Sequence, residues 1–188
     1  MSKPYIVIIT GFPATGKTRM ADGLATRLGV LRVSKDAIKD KLFDTLGYSD
    51  KSWSHHASAA AHRIMDYITE GELAVGHAVI LESNFKAGID DDRFAAIAKK
   101  FGVPIVQILC WAEEPAIFER YMSRKKTGEQ HAGHVEEVSM AEIRKAHAGG
   151  KIPVLNVANI TLEIETTDFT TVNYDAIAAH VTTAIQSL

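Results

Sequence analysis

The chain has 188 residues and one cysteine, 46% of its residues are hydrophobic and 23% are charged, and its formal net charge is −2. These values are ordinary for one globular domain with a sizeable core; they exclude an internal disulfide and argue against a long basic nucleic-acid track. No apolar run approaches the roughly 20 residues of a membrane span, and the few residues before the first apolar run leave no room for a signal peptide, so we expect a cytoplasmic protein without a membrane partner.

Apolar runs and amphipathic segments alternate along the chain. We predict strands at residues 5–10, 30–33, 77–82, 103–110 and 159–166. We predict helices at residues 17–28, 34–46, 53–69, 90–101, 113–127, 139–148 and 174–185. Strands that alternate with helices indicate an α/β fold with a parallel sheet covered by helices on both faces, in a single domain over residues 1–188.

Two helices follow the second strand. Ser34 is the predicted N-cap of the first, because its hydroxyl can accept a hydrogen bond from a first-turn amide, and Gly47 ends it. Its apolar positions are expected to face the core: Ile38, Leu42, Phe43 and Leu46. The corresponding positions of the second helix are Ala57, Ala60, Ala61, Ile64, Met65 and Ile68. We expect Gly71 to close this unit.

The link between the first strand and the first helix carries the most specific motif. Four residues separate Gly11 from Gly16-Lys17-Thr18, which is the spacing of the P-loop or Walker A motif. Glycines let backbone N–H groups crowd around phosphate oxygens, at which the next helix points its positive end. Lys17 is then expected to reach the outer phosphates and Thr18 to ligate Mg²⁺. The predicted phosphate-binding residues are Gly11, Phe12, Pro13, Ala14, Thr15, Gly16, Lys17 and Thr18. An ordinary glycine-rich turn is the alternative.

Ligands of open α/β sheets bind beyond the carboxyl ends of the strands, so polar residues at those ends are candidate site residues. Asp36, after the second strand, is the candidate general base for an acceptor hydroxyl. Glu82 closes the third strand, where a carboxylate can hold Mg²⁺ or order a water. Asn84 is a tentative phosphate or substrate contact. For the two acids, a helix-dipole interaction and a surface position at the strand end are the alternatives.

Arg120 and Arg124 lie one helical turn apart after the fourth strand. Guanidinium groups suit phosphate oxygens that gain charge in a transition state, so we expect at least one of them in the site; a solvated basic face is the alternative. A polar loop at 129–138 indicates a mobile lid over roughly 113–148. His131 and His134 belong to this lid, and zinc is disfavoured because further ligands at a suitable spacing are not evident.

Trp53 is the first residue of the helix predicted at residues 53–69, which follows the helix that contains Asp36. It is a tentative substrate contact, with a half-buried structural aromatic as the alternative.

Together these motifs resemble the small P-loop kinases of the AAA_33 type, relatives of the polynucleotide 5′-kinase domain, the chloramphenicol phosphotransferases and the zeta-toxin kinases. The resemblance spans about residues 5–170 and rests on residues 11–18, 34–39, 79–85 and 120–134. It implies a P-loop NTPase fold with a five-stranded parallel sheet in the order 2-3-1-4-5, and transfer of the γ-phosphoryl group of ATP, with Mg²⁺, to a hydroxyl. Asp36 falls where these kinases place their catalytic aspartate, and the two arginines fall in the lid. Lys39, a tentative substrate residue, stands where the polynucleotide kinases tend to carry arginine.

Three functions follow from these residues and the resemblance. The first is an ATP- and Mg²⁺-dependent kinase of a small-molecule hydroxyl. The alternatives are a polynucleotide 5′-hydroxyl kinase and an ATP-binding switch that does not transfer phosphate. ATP or GTP, the acceptor and the oligomeric state stay open at this point.

Overall fold

A computed structural model describes residues 3–128, 131–134, 144 and 150–188. The strands are β1 Ile6–Thr10, β2 Leu31–Ser34, β3 Val79–Glu82, β4 Ile105–Trp111 and β5 Ile160–Glu165. The helices that lie wholly within the described ranges are α1 Lys17–Leu28, α2 Lys35–Leu46, α3 Lys51–Ala74, α4 Asp91–Phe101, α5 Glu114–Thr127 and α6 Tyr174–Gln186. The helix predicted at 139–148 and part of the polar loop lie outside these residues. None of the described helices is long and apolar enough to cross a bilayer.

All five strands are parallel and lie in the order β2-β3-β1-β4-β5, which confirms the predicted sheet. The register aligns the strand ends, because Glu82 pairs with both Ile9 and Ser34. The residues that follow β1, β2 and β3 therefore meet at one edge of the sheet.

The central strand β1 is fully buried and sends alternate side chains into two cores. Ile6 and Ile8 pack with the side of the sheet that α3 and α4 cover. Val7 and Ile9 pack with the opposite side, under α1 and α6. A continuous β-branched run is the pattern of a strand buried on both faces.

The buried faces of α2 and α3 differ from the prediction. Phe43 is buried as predicted, but Leu46 is 62% exposed, because α2 packs mainly against α3 and buries Lys39 there, where it bonds to Ser54. Ala60 and Ile64 are also exposed, since the buried stripe of α3 is narrower than its apolar pattern. That stripe consists of Ser54, Ala57, Ala61, Met65, Thr69 and Leu73.

The end of α3 was also wrongly predicted. The helix passes through Gly71 to Ala74 because its buried stripe continues through Thr69 to Leu73. Thr69 fits the buried stripe since its hydroxyl donates to the carbonyl of Met65 at 2.8 Å. Strand bounds shift by one or two residues, as in β3, which begins at Val79 rather than His77.

We expect Leu24→Ala to lower the free energy of unfolding by about 2–5 kcal/mol, because it leaves a cavity under a fully buried helix position. Leu46→Ala is the matched control, and at 62% exposure it should change that free energy by less than about 0.5 kcal/mol. Urea denaturation of both variants measures the difference. Equal losses would contradict the described packing of α1 and α2.

Candidate functional site

The loop between β1 and α1 is held in its wrapped form by its own contacts. Gly16 lies at φ +81°, and a Cβ atom on Gly11 would lie 2.3 Å from the carbonyl oxygen of Cys110. Three donors converge on the carbonyl oxygen of Phe12: the Thr15 amide at 3.3 Å, the Thr15 hydroxyl at 2.8 Å and the Lys17 ammonium at 2.9 Å. Only glycine has room at position 11, so the sequence motif and the tight turn require each other.

The loop is fastened from behind by the segment that follows β5. The Thr166 hydroxyl donates to the carbonyl of Thr15 at 2.6 Å. The Arg120 guanidinium donates to the carbonyls of Ala14 at 3.4 Å and Thr167 at 2.9 Å. Arg120 thus ties α5 to the loop and to the end of β5, which fixes the wall of the neighbouring cavity.

A cavity of about 920 Å³ opens beside the loop. Its walls are the start of α1, one face of α5 and the segment after β5. The lining residues are Ala14, Gly16, Lys17, Thr18, Arg19, Asp22, Ala116, Glu119, Arg120, Ser123, Arg124, Thr167, Asp168, Phe169 and Thr170. Lys17, Thr18, Arg120 and Arg124, four of the predicted site residues, are therefore brought together.

Phe169 is a wall residue that the sequence pattern did not single out. The ring lies against Gly16, where a Cβ would be 2.0 Å from its tip. The Arg19 and Arg120 guanidinium carbons lie 4.4 Å and 4.5 Å from the ring centroid. The available signal was its position, because Phe169 follows a parallel strand at the edge where ligands bind.

Burial lowers the pKa of the Lys17 ammonium, and the carboxylates of Glu82 and Asp36 oppose that shift. Glu82 is only 3% exposed. Its carboxylate accepts a hydrogen bond from the Ser34 hydroxyl at 2.8 Å, and Ser34 also caps α2 by accepting from the Ala37 amide. One serine therefore fixes both the buried acid and the start of the helix that carries Asp36.

The Asp36 carboxylate is 62% exposed and pairs with the Lys35 ammonium at 2.9 Å. Desolvation alone would raise the pKa of Asp36, but Lys35, His134 and Lys17 outweigh it and hold that pKa below its ordinary value. Asp36 is therefore an ionised hydrogen-bond acceptor at neutral pH, near enough to Lys17 for each charge to affect the other.

The remaining predicted residues are spread over the acceptor side of the sheet edge. Lys39 is buried and donates to the Ser54 hydroxyl at 2.8 Å between α2 and α3. Trp53 donates from Nε1 to the carbonyl of Gly47 at 2.7 Å, a contact within the α2–α3 connection. Asn84 is exposed directly after β3. Their predicted substrate contacts stay predictions.

The two arginines of α5 differ in their surroundings. Arg120 is half-buried among carbonyls and the Phe169 ring, and burial, Arg124 and Arg19 lower its pKa. Arg124 is exposed in the cavity and contributes to lowering the pKa of Lys17. The cavity is edged by four cations and by the carboxylates of Asp22, Glu119 and Asp168. The small excess of cations favours an anionic ligand, and Arg124 is the arginine whose charge acts on the Lys17 pKa.

The oxygen ligands that the described residues offer are too few to bind Mg²⁺ alone, but they fit the ion when a phosphate is also bound. Thr18 offers a hydroxyl and Glu82 a carboxylate, and both are hard oxygen ligands. No group of three or more His, Cys, Asp or Glu side chains suited to a metal occurs among the described residues. These two oxygen ligands suit a Mg²⁺ ion whose other ligands are water molecules and phosphate oxygens.

Comparison with known proteins agrees with this geometry. The AAA_33 family, described as an AAA domain, matches residues 6–149. A candidate kinase from Chloroflexus aurantiacus is 34% identical over 97% of this chain and 99% of that one, with a TM-score of 0.91. No curated protein matches the sequence.

More distant structures share the fold. Kti12 of Chaetomium thermophilum, in complex with ADP-AlF3, is 16% identical over 96% of this chain and 98% of that one, with a TM-score of 0.66. The APS kinase CysC of Mycobacterium tuberculosis, in complex with AMPPNP and APS, is 14% identical over 99% of both chains, with a TM-score of 0.61. The chain therefore has the fold of P-loop kinases.

Cys110 lies behind the loop, and burial raises the pKa of its thiol from 9.0 to about 12. We expect alkylation of the native protein at pH ~8.5 to be at least ~10²-fold slower than in urea, because the thiolate is the nucleophile. The unfolded thiol loses its proton first, so above the ordinary value of 9.0 this residue should make stability fall with rising pH. Cys110→Ala should remove that contribution. Fast alkylation of the native thiol would contradict the described burial.

Proposed function

The chain belongs to the AAA_33 family, and from this premise we propose that it is an ATP- and Mg²⁺-dependent kinase that transfers the γ-phosphoryl group to a hydroxyl of a small-molecule acceptor. The observation that carries the proposal is one of position. Asp36 and Lys17 lie at the same edge of the sheet, after β2 and β1, the two strands that flank β3, with their charges in mutual reach. Phosphoryl transfer needs a phosphate cradle, cations and an acceptor-orienting group in that proximity.

In this proposal the triphosphate lies along the loop and the start of α1. Backbone amides of residues 14–18 and the positive end of α1 face its oxygens. The Lys17 ammonium exchanges its internal partner, the Phe12 carbonyl, for phosphate oxygens. Since burial lowers the Lys17 pKa in the free protein, an arriving anion restores favourable surroundings for its charge.

Among the described residues, Phe169 provides a suitable wall for the base of the nucleotide. The guanidinium groups of Arg19 and Arg120 lie over this ring, 4.4 Å and 4.5 Å from its centroid, so the base stacks on the ring in place of one of them or on a guanidinium plane that rests on the ring. Bases stack on both kinds of surface. Arg120 is therefore assigned to the base side and to the support of the loop, and Arg124 to the phosphates.

Thr18 and Glu82 are the residues proposed to hold Mg²⁺. Bound there, the ion would neutralise phosphate charge and orient the terminal phosphates. The Ser34 hydroxyl keeps the Glu82 carboxylate oriented, because it donates to one of its oxygens at 2.8 Å.

In the transfer step, the acceptor oxygen forms a bond to the γ-phosphorus while the bond from that phosphorus to the β,γ-bridging oxygen breaks. ADP leaves with the bridging oxygen, and the hydroxyl proton passes to the Asp36 carboxylate. A carboxylate of lowered pKa is a weak base, so its main contribution is to orient the hydroxyl and accept the proton late. Lys17 and Arg124 stabilise the charge on the phosphoryl oxygens.

Phe169→Ala should weaken ATP binding about 5- to 150-fold, the range expected from the loss of one base–aromatic stack. Calorimetric titration should compare ATP with inorganic tripolyphosphate, which has no base and should bind nearly unchanged. Phe118→Ala, at an exposed position of α5, is the control variant. An equal loss for both ligands would contradict the assignment of Phe169 to the base.

Asp36→Asn should reduce transfer to an acceptor by at least ~10²-fold while ATP affinity is kept, because only the proton-accepting group is removed. Labelled ATP, offered with sugars, nucleosides, antibiotics and oligonucleotides, measures transfer. Asp92→Asn, an exposed acid in the first turn of α4, is the matched control. Lys17→Ala should abolish turnover while the protein stays folded.

Each result of this screen has a consequence. Full transfer by Asp36→Asn would contradict the role of that residue, and full turnover by Lys17→Ala would contradict the site. Slow ATP hydrolysis that is indifferent to Asp36→Asn, with no acceptor labelled, would favour the nucleotide-binding switch instead.

A further inference from the structure

Residues 131–134, which we call the clasp, lie on α2 and are held there by two histidine–aspartate contacts. His131 Nε2 lies 3.2 Å from Asp44 Oδ1. His134 Nε2 lies 2.7 Å from Asp40 Oδ1. Both imidazole rings are largely covered, with 22% and 14% of their side-chain surface exposed. The clasp is therefore docked by specific partners.

The middle of the clasp fits closely over Phe43. A Cβ atom on Gly133 would lie 2.5 Å from the Phe43 ring, so a larger residue at this position would push the backbone away. The His131 ring stacks on Phe43 at 5.3 Å, and the His134 ring meets Phe43 edge-on at 5.4 Å. Tyr48 covers the outer side of His131 at 5.4 Å. Glycine at 133 is thus required by packing against α2.

The hydrogen bonds of His131 define which ring nitrogen carries the proton. The Gly133 amide donates to Nδ1 at 2.9 Å, so Nδ1 is the acceptor. Nε2 therefore carries the ring proton and donates a hydrogen bond to Asp44 Oδ1. A second bond, from the His134 amide to the His131 carbonyl at 3.0 Å, closes the turn. The clasp is consequently a small structure with its own internal order.

The clasp covers the side of α2 that carries the candidate base. Asp36, Asp40 and Asp44 are spaced by four residues and so lie along one helix face. His134 is close enough to Asp36 to help hold its pKa low. The clasp also begins only four residues after α5 ends at Thr127, so it connects the helix of Arg124 to the helix of Asp36.

The charges on this side of the site do not suit a polyanion. Three carboxylates and two lysines line the face, and both lysines are paired: Lys35 with Asp36 at 2.9 Å and Lys41 with Asp44 at 2.8 Å. Lys39 points to α3, where it donates to Ser54. The further phosphates of a polynucleotide end would therefore have to displace these described pairs to gain a cation on this face.

Resting on the proposed function, we propose that the clasp closes the acceptor end of the cleft over the Asp36 face of α2, with His134 as the positioning residue. It limits the acceptor to a small, not polyanionic, hydroxyl compound. The acceptor enters at the first turn of α2, beside the clasp and next to the sheet edge, and the docked clasp occupies the following turns of α2, which a strand of nucleic acid would have to cross.

Hydrogen exchange of the full protein tests the clasp without any substrate. Asp40→Ala should raise the exchange of the Gly133 and His134 amides about tenfold or more, because the pair that docks them is lost. Asp40→Asn, which keeps an oxygen for His134 Nε2, should stay close to the parent. His180→Gln, on the exposed side of α6, is the control. Unchanged exchange of these amides in Asp40→Ala would overturn the proposal that the His134–Asp40 contact holds the clasp on α2.

Transfer to matched acceptors tests the selection. Thymidine and a 5′-hydroxyl oligothymidylate present the same hydroxyl, one on a small molecule and one on a polyanion. With labelled ATP, the parent should label no oligothymidylate, whether or not thymidine is accepted. For the monomeric hydroxyl compound that the acceptor screen labels best, Asp40→Ala should raise KM about tenfold with a smaller change in kcat, and Asp40→Asn should restore it.

Different results would overturn the proposed kinase function and the proposed role of the clasp. Efficient labelling of oligothymidylate by the parent protein would overturn the selection while leaving the kinase intact. Failure to label any acceptor would overturn the proposed function, and the exchange measurement would then decide the clasp by itself.

Discussion

The close wrapping of one backbone turn is the constraint on which the site depends. At Gly11 the chain passes so near the Cys110 carbonyl that no side chain fits, and at Gly16 it passes directly under the Phe169 ring. The second contact is the more informative one. It means that Phe169, in the segment after β5, can lie on the start of α1, so the loop and the Phe169 wall are one packed unit. A β-carbon at Gly16 would separate them, and one at Gly11 would push the loop away from Cys110.

Charges of opposite sign lie close together at the edge of the sheet. Lys17 is desolvated, and its neighbours on the strand ends are carboxylates, one buried and one exposed. Glu82 is stabilised by the Ser34 hydroxyl, and Lys17 by the Phe12 carbonyl. These partners are neutral dipoles, which cost little to exchange. An anion that enters the cavity therefore meets cations that are held in place but not neutralised by strong ion pairs.

The sequence predicted a parallel sheet and the bounds of α1 from local signals: a buried β-branched run, glycine spacing and a regular amphipathic face. The strand order was implied by the resemblance to the small P-loop kinases. It did not predict the burial of Lys39 or the polar members of the α3 stripe. Both result from contacts between α2 and α3, where long or hydroxylated side chains satisfy their polar ends within the interface. Leu46 was misplaced for the converse reason, since its apolar character alone does not show that α2 faces α3. The site shows the same division. The phosphate-binding loop was predicted from the spacing of neighbouring residues. The position of Phe169 in the cavity wall depends on how the segment after β5 packs against α1.

In the proposed function, the two ends of the cleft are closed by different means, and this separates the general part of the site from the specific part. At the nucleotide end, Arg120 bonds to the phosphate loop and the Phe169 ring lies against Gly16, so the base wall and the phosphate cradle share one set of elements. At the acceptor end, the clasp touches α2 through Asp40, Phe43 and Asp44, one and two turns beyond Asp36. None of these three residues is fastened to the phosphate loop by a described contact. Acceptor preference can therefore change through the clasp and its partners without loss of the phosphate cradle, as expected where specificity is carried by segments added to a conserved scaffold geometry.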